Sequence, residues 1–219
     1  MNVLAGATSS YLFGMSMNPQ QPTVFVVDDD ADVRESLCWL IESVGWAVEA
    51  FPNASACLER LTADSRGCLV ADLRLPGMSG LDMHDALRER GVALPTLIIT
   101  GHGDVTAAVR ALKNGCLDFI EKPFSDQTLL DRVRIALDND EQCRSERERL
   151  QSVQARLNRL TPREQEVMSL VVHGKLNKQI ASDLGLSHKT IEVHRAHVME
   201  KMQAGSLADL VRMAMTAGH

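Results

Sequence analysis

The fold of the first half of this chain is decided by residues 23–45, which read TVFVVDDDADVRESLCWLIESVG. The opening run TVFVV is almost wholly apolar, as in a strand that is buried on both faces of a sheet. Val33, Leu37 and Ile41 then share one helical face, and Gly45 is placed to end that helix. A buried strand followed directly by an amphipathic helix predicts one unit of an α/β domain.

The same alternation continues to about residue 137. The further predicted strands are WAVEAF (46–51), CLVAD (68–72), 96–100 and 118–121, and the further predicted helices are one capped by Asn53 that ends at Leu61, then 81–90, 104–114 and 125–137. Alternating strands and helices favour right-handed crossovers between parallel strands. We therefore predict a five-stranded, doubly wound parallel sheet with helices on both faces.

Polar side chains stand where four of these apolar runs end: Asp28 with Asp29, Asp72, Thr100 and Lys122. The carboxyl ends of parallel strands share one edge of the sheet, and ligands of open α/β sheets bind there. Carboxylates suit a hard divalent cation, and a hydroxyl and an ammonium suit phosphoryl oxygens. This edge is therefore expected to handle a transferred phosphoryl group.

Four segments, VVDDD, VADLRLPGMSG, ITGHGD and DFIEKPF, resemble the receiver domain of two-component response regulators in order and spacing. The resemblance implies a flavodoxin-like fold in which Asp72 accepts a phosphoryl group from a sensor histidine kinase. It also implies that Asp29, with Asp28 in support, coordinates Mg²⁺ together with Asp72 and the backbone carbonyl of Arg74.

Three further roles come from the same resemblance. Thr100 would bond the phosphoryl oxygens and Lys122 would pair with them, whereas Phe119 would take the place of the aromatic switch residue. The Lys122-Pro123 peptide bond is often cis in this family, and cis peptides are largely confined to proline.

Charge divides the chain into two parts. Residues 1–140 hold 11 Lys and Arg against 20 Asp and Glu, whereas residues 141–219 hold 12 against 9. An acidic module is thus followed by a mildly basic one, and 219 residues suit two small domains. The overall acidity argues against nonspecific coating of nucleic acid but leaves room for one local basic patch.

The segment between the two parts, residues 139–158, is rich in charge and free of Pro and Gly, so we predict a helical linker. Leu150, Val153, Leu157 and Leu160 keep a 3-4-3 spacing. Such a short seam fits packing on a neighbouring domain or on a second subunit. Two heptads are too few to define a coiled coil, so a solvated connecting helix is also open.

Residues 161–203 carry three sets of helix start and stop signals. Thr161, Pro162 and Glu164 form a capping-box pattern, and Gly174 follows that helix. Asn177 is predicted to cap a second helix that Gly185 ends, and Ser187 a third that runs to about Gln203. Two short helices joined at a glycine predict a helix-turn-helix, whose second helix enters the major groove of DNA.

At 100° per residue, Ile191, Val198 and Met202 point to the core of this predicted domain. Val193 and Ala196 lie on the opposite face with Lys189, His197 and Glu200, and a branched methyl there suits a thymine methyl. Glu192 could accept from a cytosine amine or face solvent, and His194 is expected to pack. The expected phosphate contacts, which position rather than specify, are Lys178, Lys189, Thr190, Arg195 and Lys201.

The stretch LTPREQEVMSLVVHGKLNKQIASDLGLSHKTIEVHRAHVMEKM resembles the LuxR-type DNA-binding domain. With the receiver, the architecture is similar to the NarL/FixJ family of transcription factors, closest to the FixJ branch. The resemblance implies promoter DNA and a sensor kinase as partners, a homodimer formed on phosphorylation, and RNA polymerase as a candidate further partner. The last helix, SLADLVRMAM, would pair two DNA-bound copies or present a core face.

The expected organisation is a disordered tail (1–22), an α/β receiver (23–138), a helical linker (139–158) and an all-α, four-helix helix-turn-helix domain (159–219). The tail could also reflect a start codon assigned too early. No apolar run approaches the length of a membrane span and no basic residues precede the first one, so we expect no membrane partner. The five cysteines have no metal-like spacing, which is typical of free thiols in a reducing cytoplasm.

Two rival functions are left open by the residues. The first is a phosphohydrolase with Asp28 as nucleophile, because Asp28-Asp29-Asp30 after a strand is similar to the DxD of haloacid-dehalogenase-like phosphatases. That motif requires Thr or Val where this chain has Asp32. The second is a phosphorylation-independent DNA-binding regulator whose receiver serves only to dimerise. The favoured prediction is not an enzyme but a phosphorylation-controlled transcription regulator.

Overall fold

The structure is a computed structural model that describes residues 21–101 and 113–218. The chain divides into two compact units, with the boundary between Glu141 and Gln142. Each unit has its own hydrophobic core.

The first unit is built on a five-stranded parallel sheet, as predicted. Its strands are β1 (Thr23–Val27), β2 (Ala47–Phe51), β3 (Gly67–Asp72), β4 (Thr96–Thr100) and β5 (Asp118–Glu121). They lie in the order β2-β1-β3-β4-β5, so β1 and β3 are neighbours at the centre. Both are buried along nearly their whole length, because helices cover the two faces.

The described helices of this unit are α1 (Ala31–Ser43), α2 (Ala54–Arg60), α3 (Gly80–Glu89) and the start of α4 (Asp126–Leu157). One core cluster joins the sheet to α2 and α3, and a second joins its other face to α1 and α4. Residues 104–112 of the predicted helix 104–114 lie outside the part of the chain that the structure describes.

Helix α4 is longer than the sequence suggested. A helix over 125–137 and a separate linker were predicted, whereas one helix runs from Asp126 to Leu157. No Pro or Gly interrupts that stretch, so nothing ends the helix. Asp140 is buried, and its Oδ2 accepts a 2.8 Å hydrogen bond from the Gly67 N–H at the start of β3. Within the described ranges, no helix combines the length and the apolar character needed to cross a bilayer.

The second unit contains the end of α4 and four further helices: α5 (Pro162–Val172), α6 (Asn177–Leu184), α7 (His188–Met202) and α8 (Leu207–Thr216). Ile180, Ile191, Val198 and Met202 are buried at its centre, as the helical periodicity predicted for the last three. The fold class predicted from the sequence, α/β plus all-α, is therefore confirmed.

The seam at the end of α4 belongs to the core of this second unit. Val153, Leu157 and Leu160 are buried in its main cluster, whereas Leu150 is partly exposed. Of the three readings of this seam, packing on a domain of the same chain is the one that the structure displays.

The start of α6 differs from the prediction by one residue. Asn177 was expected to cap the helix, but it is the first helical residue and Leu176 occupies the cap position. The Leu176 N–H donates to Gln179 Oε1 at 2.9 Å, so a side chain from inside the helix satisfies the cap backbone. The other expected caps, Asn53, Thr161 and Ser187, are present.

Gly67 generates a prediction about the first unit. Its φ is +120°, and a Cβ at this position would lie 1.9 Å from the carbonyl oxygen of Thr23. We expect Gly67→Ala to lower the free energy of unfolding by about 3 kcal/mol or more, because both the backbone and the neighbouring strand must shift. Urea unfolding followed by tryptophan fluorescence measures this, since Trp39 and Trp46 both lie in the first unit.

Gly45→Ala is the matched control. Gly45 also has a positive φ, +83°, but a Cβ there would meet no atom within 4 Å. Its expected cost is about 1 kcal/mol, from the left-handed backbone alone. Equal losses in the two variants would contradict the argument from close strand approach.

Candidate functional site

The parallel register of the central strands brings two aspartates together at one edge of the sheet. Val27 pairs with Ala71, so Asp28 and Asp72 follow from neighbouring strands at the same level. Asp28 is almost wholly buried, and its side chain is 4% exposed against 12% for that of Asp72. Of the two carboxylates, Asp72 is therefore the more open to a reactant in solution.

Lys122 links these two carboxylates. Its Nζ lies 3.2 Å from Asp28 Oδ2 and 2.9 Å from Asp72 Oδ1. The backbone fixes the base of this side chain, because the Lys122 N–H donates to the Thr100 carbonyl at 2.7 Å. The Lys122-Pro123 peptide bond is cis, as the resemblance implied.

The remaining carboxylate oxygens are held by the backbone. The Asp30 N–H donates to Asp28 Oδ1 at 2.9 Å, and the Arg74 N–H donates to Asp72 Oδ2 at 2.7 Å. Each aspartate thus receives one backbone donor and one contact from Lys122. This arrangement orients both carboxylates before any ligand arrives, which is how a preorganised polar site works.

The charge states follow from burial and pairing. Burial raises the pKa of Asp28 above its usual value, although the Asp30 N–H and Lys122 act against it. Burial alone would lower the pKa of Lys122, but its hydrogen bond to Asp72 and the nearby negative charges raise it overall. Lys122 is therefore a fixed positive charge at neutral pH, placed where an incoming anion would meet it.

Thr100 and Phe119 lie on the next two strands. Thr100 ends β4 and is 1% exposed, whereas Phe119 in β5 is partly buried against the cluster that α2 and α3 cover. Their strands pair in parallel, with Ile98 beside Phe119 and Thr100 beside Glu121. Thr100 therefore lies at the same edge of the sheet as Asp72, whereas Phe119 is level with Ala71, one residue before it. The predicted roles of both residues remain predictions.

The predicted Mg²⁺ ligands are brought together only in part. Asp28 and Asp72 converge on Lys122, whereas Asp29 is exposed. Over residues 21–101 and 113–218, no three acidic, histidine or cysteine side chains are arranged as a metal site. The donors present, carboxylate oxygens beside the Arg74 backbone, are nevertheless of the kind that Mg²⁺ prefers. Lys122 contacts one oxygen of each of the two convergent carboxylates.

The second unit carries the predicted helix-turn-helix. Helices α6 and α7 are joined through Gly185, which has a left-handed φ of +64°, and Ser187 caps α7. Val193 is 48% exposed on the outer face of α7, an unusual degree of exposure for a branched apolar residue. The other predicted DNA contacts are also solvent-accessible to varying degrees: Lys178, Lys189, Thr190, Glu192, Arg195, Ala196, His197 and Lys201.

Glu164 connects the start of α5 to α7. It is 3% exposed, accepts from the Thr161 N–H at 2.8 Å and receives Lys201 Nζ at 2.9 and 2.7 Å on its two oxygens. His197 Nδ1 lies 3.6 Å from Glu164 Oε1. Lys201 was predicted to contact phosphate, and in the structure its ammonium pairs with this buried carboxylate.

His194 and Glu192, also on α7, differ in their exposure. His194 is half-buried and its Nδ1 is buried without a hydrogen-bond partner, which agrees with the packing role expected for it. Glu192 is exposed, with its Oε1 3.5 Å from His188 Nδ1 one helical turn away.

Sequence reasoning missed two anchoring contacts, the Glu164–Lys201 pair and the Asp140–Gly67 hydrogen bond. The capping-box pattern gave Glu164 a local role but carried no signal for a partner 37 positions away. Asp140 lies in a charged helical stretch, where an acidic residue is most often solvated.

Two protein-family models match the chain. The response regulator receiver domain matches residues 24–134, and the bacterial regulatory proteins of the luxR family match residues 158–214. Nodulation protein W of Bradyrhizobium diazoefficiens is 47% identical over 195 residues, covering 89% of this chain and 86% of that protein. Transcriptional regulatory protein FixJ of Azorhizobium caulinodans is 45% identical over 200 residues, covering 91% and 95%.

Solved structures of two similar proteins cover most of this chain. The response regulator StyR is 43% identical with a TM-score of 0.82, covering 89% of this chain and 98% of that one. Full-length FixJ from B. japonicum is 43% identical with a TM-score of 0.56, covering 90% and 97%.

Glu164 yields a prediction with a pH dependence. Burial raises the pKa of Glu164, but hydrogen bonds from Lys201 and Thr161 outweigh it and bring the pKa to about 2. The ionised form is thus stabilised by folding, so this contribution is complete above the ordinary pKa of 4.5 and is lost as pH falls towards 2. We expect Glu164→Gln to destabilise the second unit by about 2 kcal/mol at pH 7, and by progressively less below pH 4.5.

Urea unfolding followed by circular dichroism measures this loss, and tryptophan fluorescence reports the first unit separately. Glu166→Gln is the matched control, because Glu166 pairs with Arg163 at an exposed position where such pairs contribute little. If the difference in unfolding free energy between Glu164→Gln and the unsubstituted protein were the same at pH 7 and pH 3, the ionised Glu164 carboxylate would not be the source of this stability.

Proposed function

The chain belongs to the response regulators that join a receiver domain to a LuxR-type DNA-binding domain, and we propose that phosphorylation of Asp72 controls its binding to DNA. It is a two-component transcription regulator. The observation that carries the proposal is the setting of Asp72, the more exposed of two carboxylates at the sheet edge, which contacts a fixed ammonium.

The proposed chemistry is transfer of a phosphoryl group from a phosphohistidine of a sensor kinase. One Asp72 carboxylate oxygen forms the new bond to phosphorus while the phosphorus–nitrogen bond breaks. The electron pair stays on the imidazole nitrogen, which takes up a proton. Lys122, already beside Asp72 Oδ1, neutralises charge on the transferred group, so positioning and electrostatics supply the catalysis.

Receiver domains of this family generally bind Mg²⁺ at the phosphorylation site. In this chain Asp28, Asp29, Asp72 and the Arg74 carbonyl are the proposed ligands. Bound there, the cation would supply charge neutralisation of the phosphoryl oxygens. Asp28 and Asp72 would then serve both this cation and Lys122, which contacts one oxygen of each carboxylate.

The proposed switch follows from where the neighbouring side chains lie. Thr100 ends β4, the neighbour of the acceptor strand, and Phe119 lies on β5, the next strand along, so a bond from Thr100 to the phosphoryl oxygens would let Phe119 repack. To convert a 1:99 population into 99:1, the phosphorylated state needs about 5.5 kcal/mol of differential stabilisation. A phosphoryl–lysine contact together with a new dimer interface is of that order.

The proposed output is binding of a homodimer to promoter DNA. Helix α7 would enter the major groove with Val193 and Ala196 at base edges. The proposed basic contacts with phosphates are Lys178, Lys189, Arg195 and Lys201. Helix α8 is the proposed dimer contact. Its Leu210 and Ala214 are buried in the unit, whereas the apolar side chains of Leu207 and Met215 remain 47% and 71% exposed and are free to meet a second copy. Two copies paired there would occupy half-sites about one helical turn apart.

The division into tail (1–22), receiver (23–138), linker (139–158) and DNA-binding domain (159–219) remains our proposal for the limits of the modules. A sensor kinase and promoter DNA are the proposed partners, with RNA polymerase as a candidate at the promoter. Such a regulator would act in the cytoplasm, where the DNA is. Catalytic turnover is not expected, since the relatives named FixJ are transcriptional regulatory proteins.

The rival phosphohydrolase is disfavoured by the position of its required nucleophile. Asp28 is almost wholly buried, and both of its oxygens are engaged, by Asp30 and by Lys122. The second rival, regulation without phosphorylation, differs from our proposal in one observable, the response of DNA affinity to phosphorylation.

Asp72→Asn tests the proposed acceptor. With Mg²⁺ and labelled acetyl phosphate, the unsubstituted protein should incorporate phosphate and bind its DNA more tightly, and Asp72→Asn should do neither. The reason is that an amide oxygen is a poor nucleophile in place of a carboxylate. Asp64→Asn, which removes an exposed carboxylate elsewhere in the first unit, should behave like the unsubstituted protein. Label on the Asp72→Asn protein would refute the site, and unchanged DNA affinity would favour the second rival.

Val193→Arg tests the recognition surface. A long cation at this exposed position would remove the apolar contact and obstruct close approach of α7 to the bases. We expect specific DNA binding to fall at least tenfold in an electrophoretic mobility assay, which corresponds to about 1.4 kcal/mol. Val44→Arg is the control, since Val44 is 44% exposed in the first unit. Equal DNA affinities for the two variants would count against α7 as the reading helix.

A further inference from the structure

One arginine of α1 contacts the acidic loop that follows β1. Arg34 Nη1 donates to the carbonyl oxygen of Asp28 at 2.7 Å and, with a longer contact of 3.5 Å, to that of Asp29. The side chain therefore spans two consecutive peptide groups of the loop that supplies the proposed metal ligands. Neither the family resemblance nor the sequence periodicity gives this residue a role.

The position of Arg34 on its helix is electrostatically unfavourable. Its N–H donates to the Asp30 carbonyl, so the residue lies in the first turn of α1, near the positive end of the helix dipole. A cation is disfavoured there, and acidic residues such as Asp32 are preferred. The contacts with the two carbonyls and the acidic surroundings offset this cost, so the guanidinium is held by the loop and not by its own helix.

The contacts from Arg34 to the carbonyls of Asp28 and Asp29 hold the loop backbone around Asp29, which its own side chain does not hold. The carboxylate of Asp28 is already fixed by the Asp30 N–H and by Lys122. Asp29 is exposed, and its carboxylate direction depends on the peptide groups on either side of its Cα. Because each peptide group is planar, fixing a carbonyl fixes the orientation of the whole group. Arg34 contacts the carbonyls of both of these groups.

We propose that Arg34 is a positioning residue that holds the Asp28–Asp29 loop in the geometry required to bind a divalent cation. The inference deepens the proposed function and rests on it, because it assumes that this loop supplies metal ligands. Arg34 itself contacts neither the cation nor the phosphoryl group. It acts through backbone carbonyls, as residues outside the ligand set commonly do in metal sites.

The proposal and simple electrostatics predict opposite changes in Mg²⁺ affinity when Arg34 is removed. A guanidinium beside an acidic site repels a divalent cation, so its removal would by itself tighten Mg²⁺ binding. If Arg34 positions the loop, its removal weakens binding, and the loss of such an outer partner typically costs tenfold or more in metal affinity. The direction of the change therefore separates the two roles.

The experiment is calorimetric titration of the full-length protein with Mg²⁺, before any phosphorylation. We expect Arg34→Met to raise the dissociation constant about tenfold. Arg34→Lys keeps the charge but is one atom shorter, so it should give an intermediate value. Arg60→Met is the matched control, because it removes one half-exposed arginine of the same unit, whose ion-pair partner Glu49 is not a proposed ligand. It should leave the dissociation constant unchanged.

A second readout is the rate of labelling by acetyl phosphate as a function of Mg²⁺ concentration. Arg34→Met should need more Mg²⁺ for half-maximal labelling while reaching a similar rate at saturation, because Asp72 and Lys122 are intact. Equal or tighter Mg²⁺ binding by Arg34→Met would overturn the proposal. If circular dichroism finds that variant unfolded, unchanged affinity in Arg34→Lys would overturn it instead. Absence of Mg²⁺ binding or labelling in the unsubstituted protein would contradict the proposed function itself, and with it the premise for Arg34.

Discussion

The sheet edge depends on the Lys122 ammonium, which lies between Asp28 and Asp72. Two carboxylates at the end of a fully apolar pair of strands repel each other and lose hydration, and either effect alone favours their neutral forms. The cation that directly follows β5 offsets both, and the hydrogen bond from the Lys122 N–H to the Thr100 carbonyl holds the backbone of that residue in place. The parallel order of the sheet is what allows it, because strands far apart in the sequence end at the same level. Any ligand that enters must therefore share Lys122 or replace it.

The location of this site followed from the sequence, because it depends only on where apolar runs end. Parallel strands bring their carboxyl ends to one edge whatever the loops between them do. Which residue of the acidic pair, Asp28 or Asp29, would be buried could not be predicted in this way. Asp29 is predicted to be the stronger metal ligand, and this stays a prediction; Asp28 is the residue that is buried and paired with Lys122. Beyond the last strand residue, side-chain direction is set by the backbone dihedrals of a turn and by partners such as Arg34, and neither has a periodic signature.

In the second unit, likewise, a contact within one helical turn could be predicted from the sequence, whereas a contact between two helices could not. The Thr161–Glu164 capping box could be predicted, because all of its atoms lie within one helical turn. Its extension to Lys201 could not, since that contact requires α5 and α7 to pack first. Glu164 consequently has two tasks, to start one helix and to fix the orientation of another that bears the proposed DNA contacts. A residue read as a local cap is in fact part of the scaffold of the recognition surface.

Strand β3 carries the proposed acceptor Asp72 at one end and a hydrogen bond to helix α4 at the other. Asp72 ends this strand, and Gly67 at its start donates to Asp140 near the last turn that α4 contributes to that unit. The strand is buried and hydrogen-bonded on both sides, so it has a single arrangement. Coupling requires an element with two arrangements, and contiguity alone does not provide one. Strand β3 and Asp140 are better understood as a fixed frame. A change of state at Asp72 must then be expressed outside this frame, which points to the half-buried Phe119 on the edge strand β5, next to the strand that ends in Thr100.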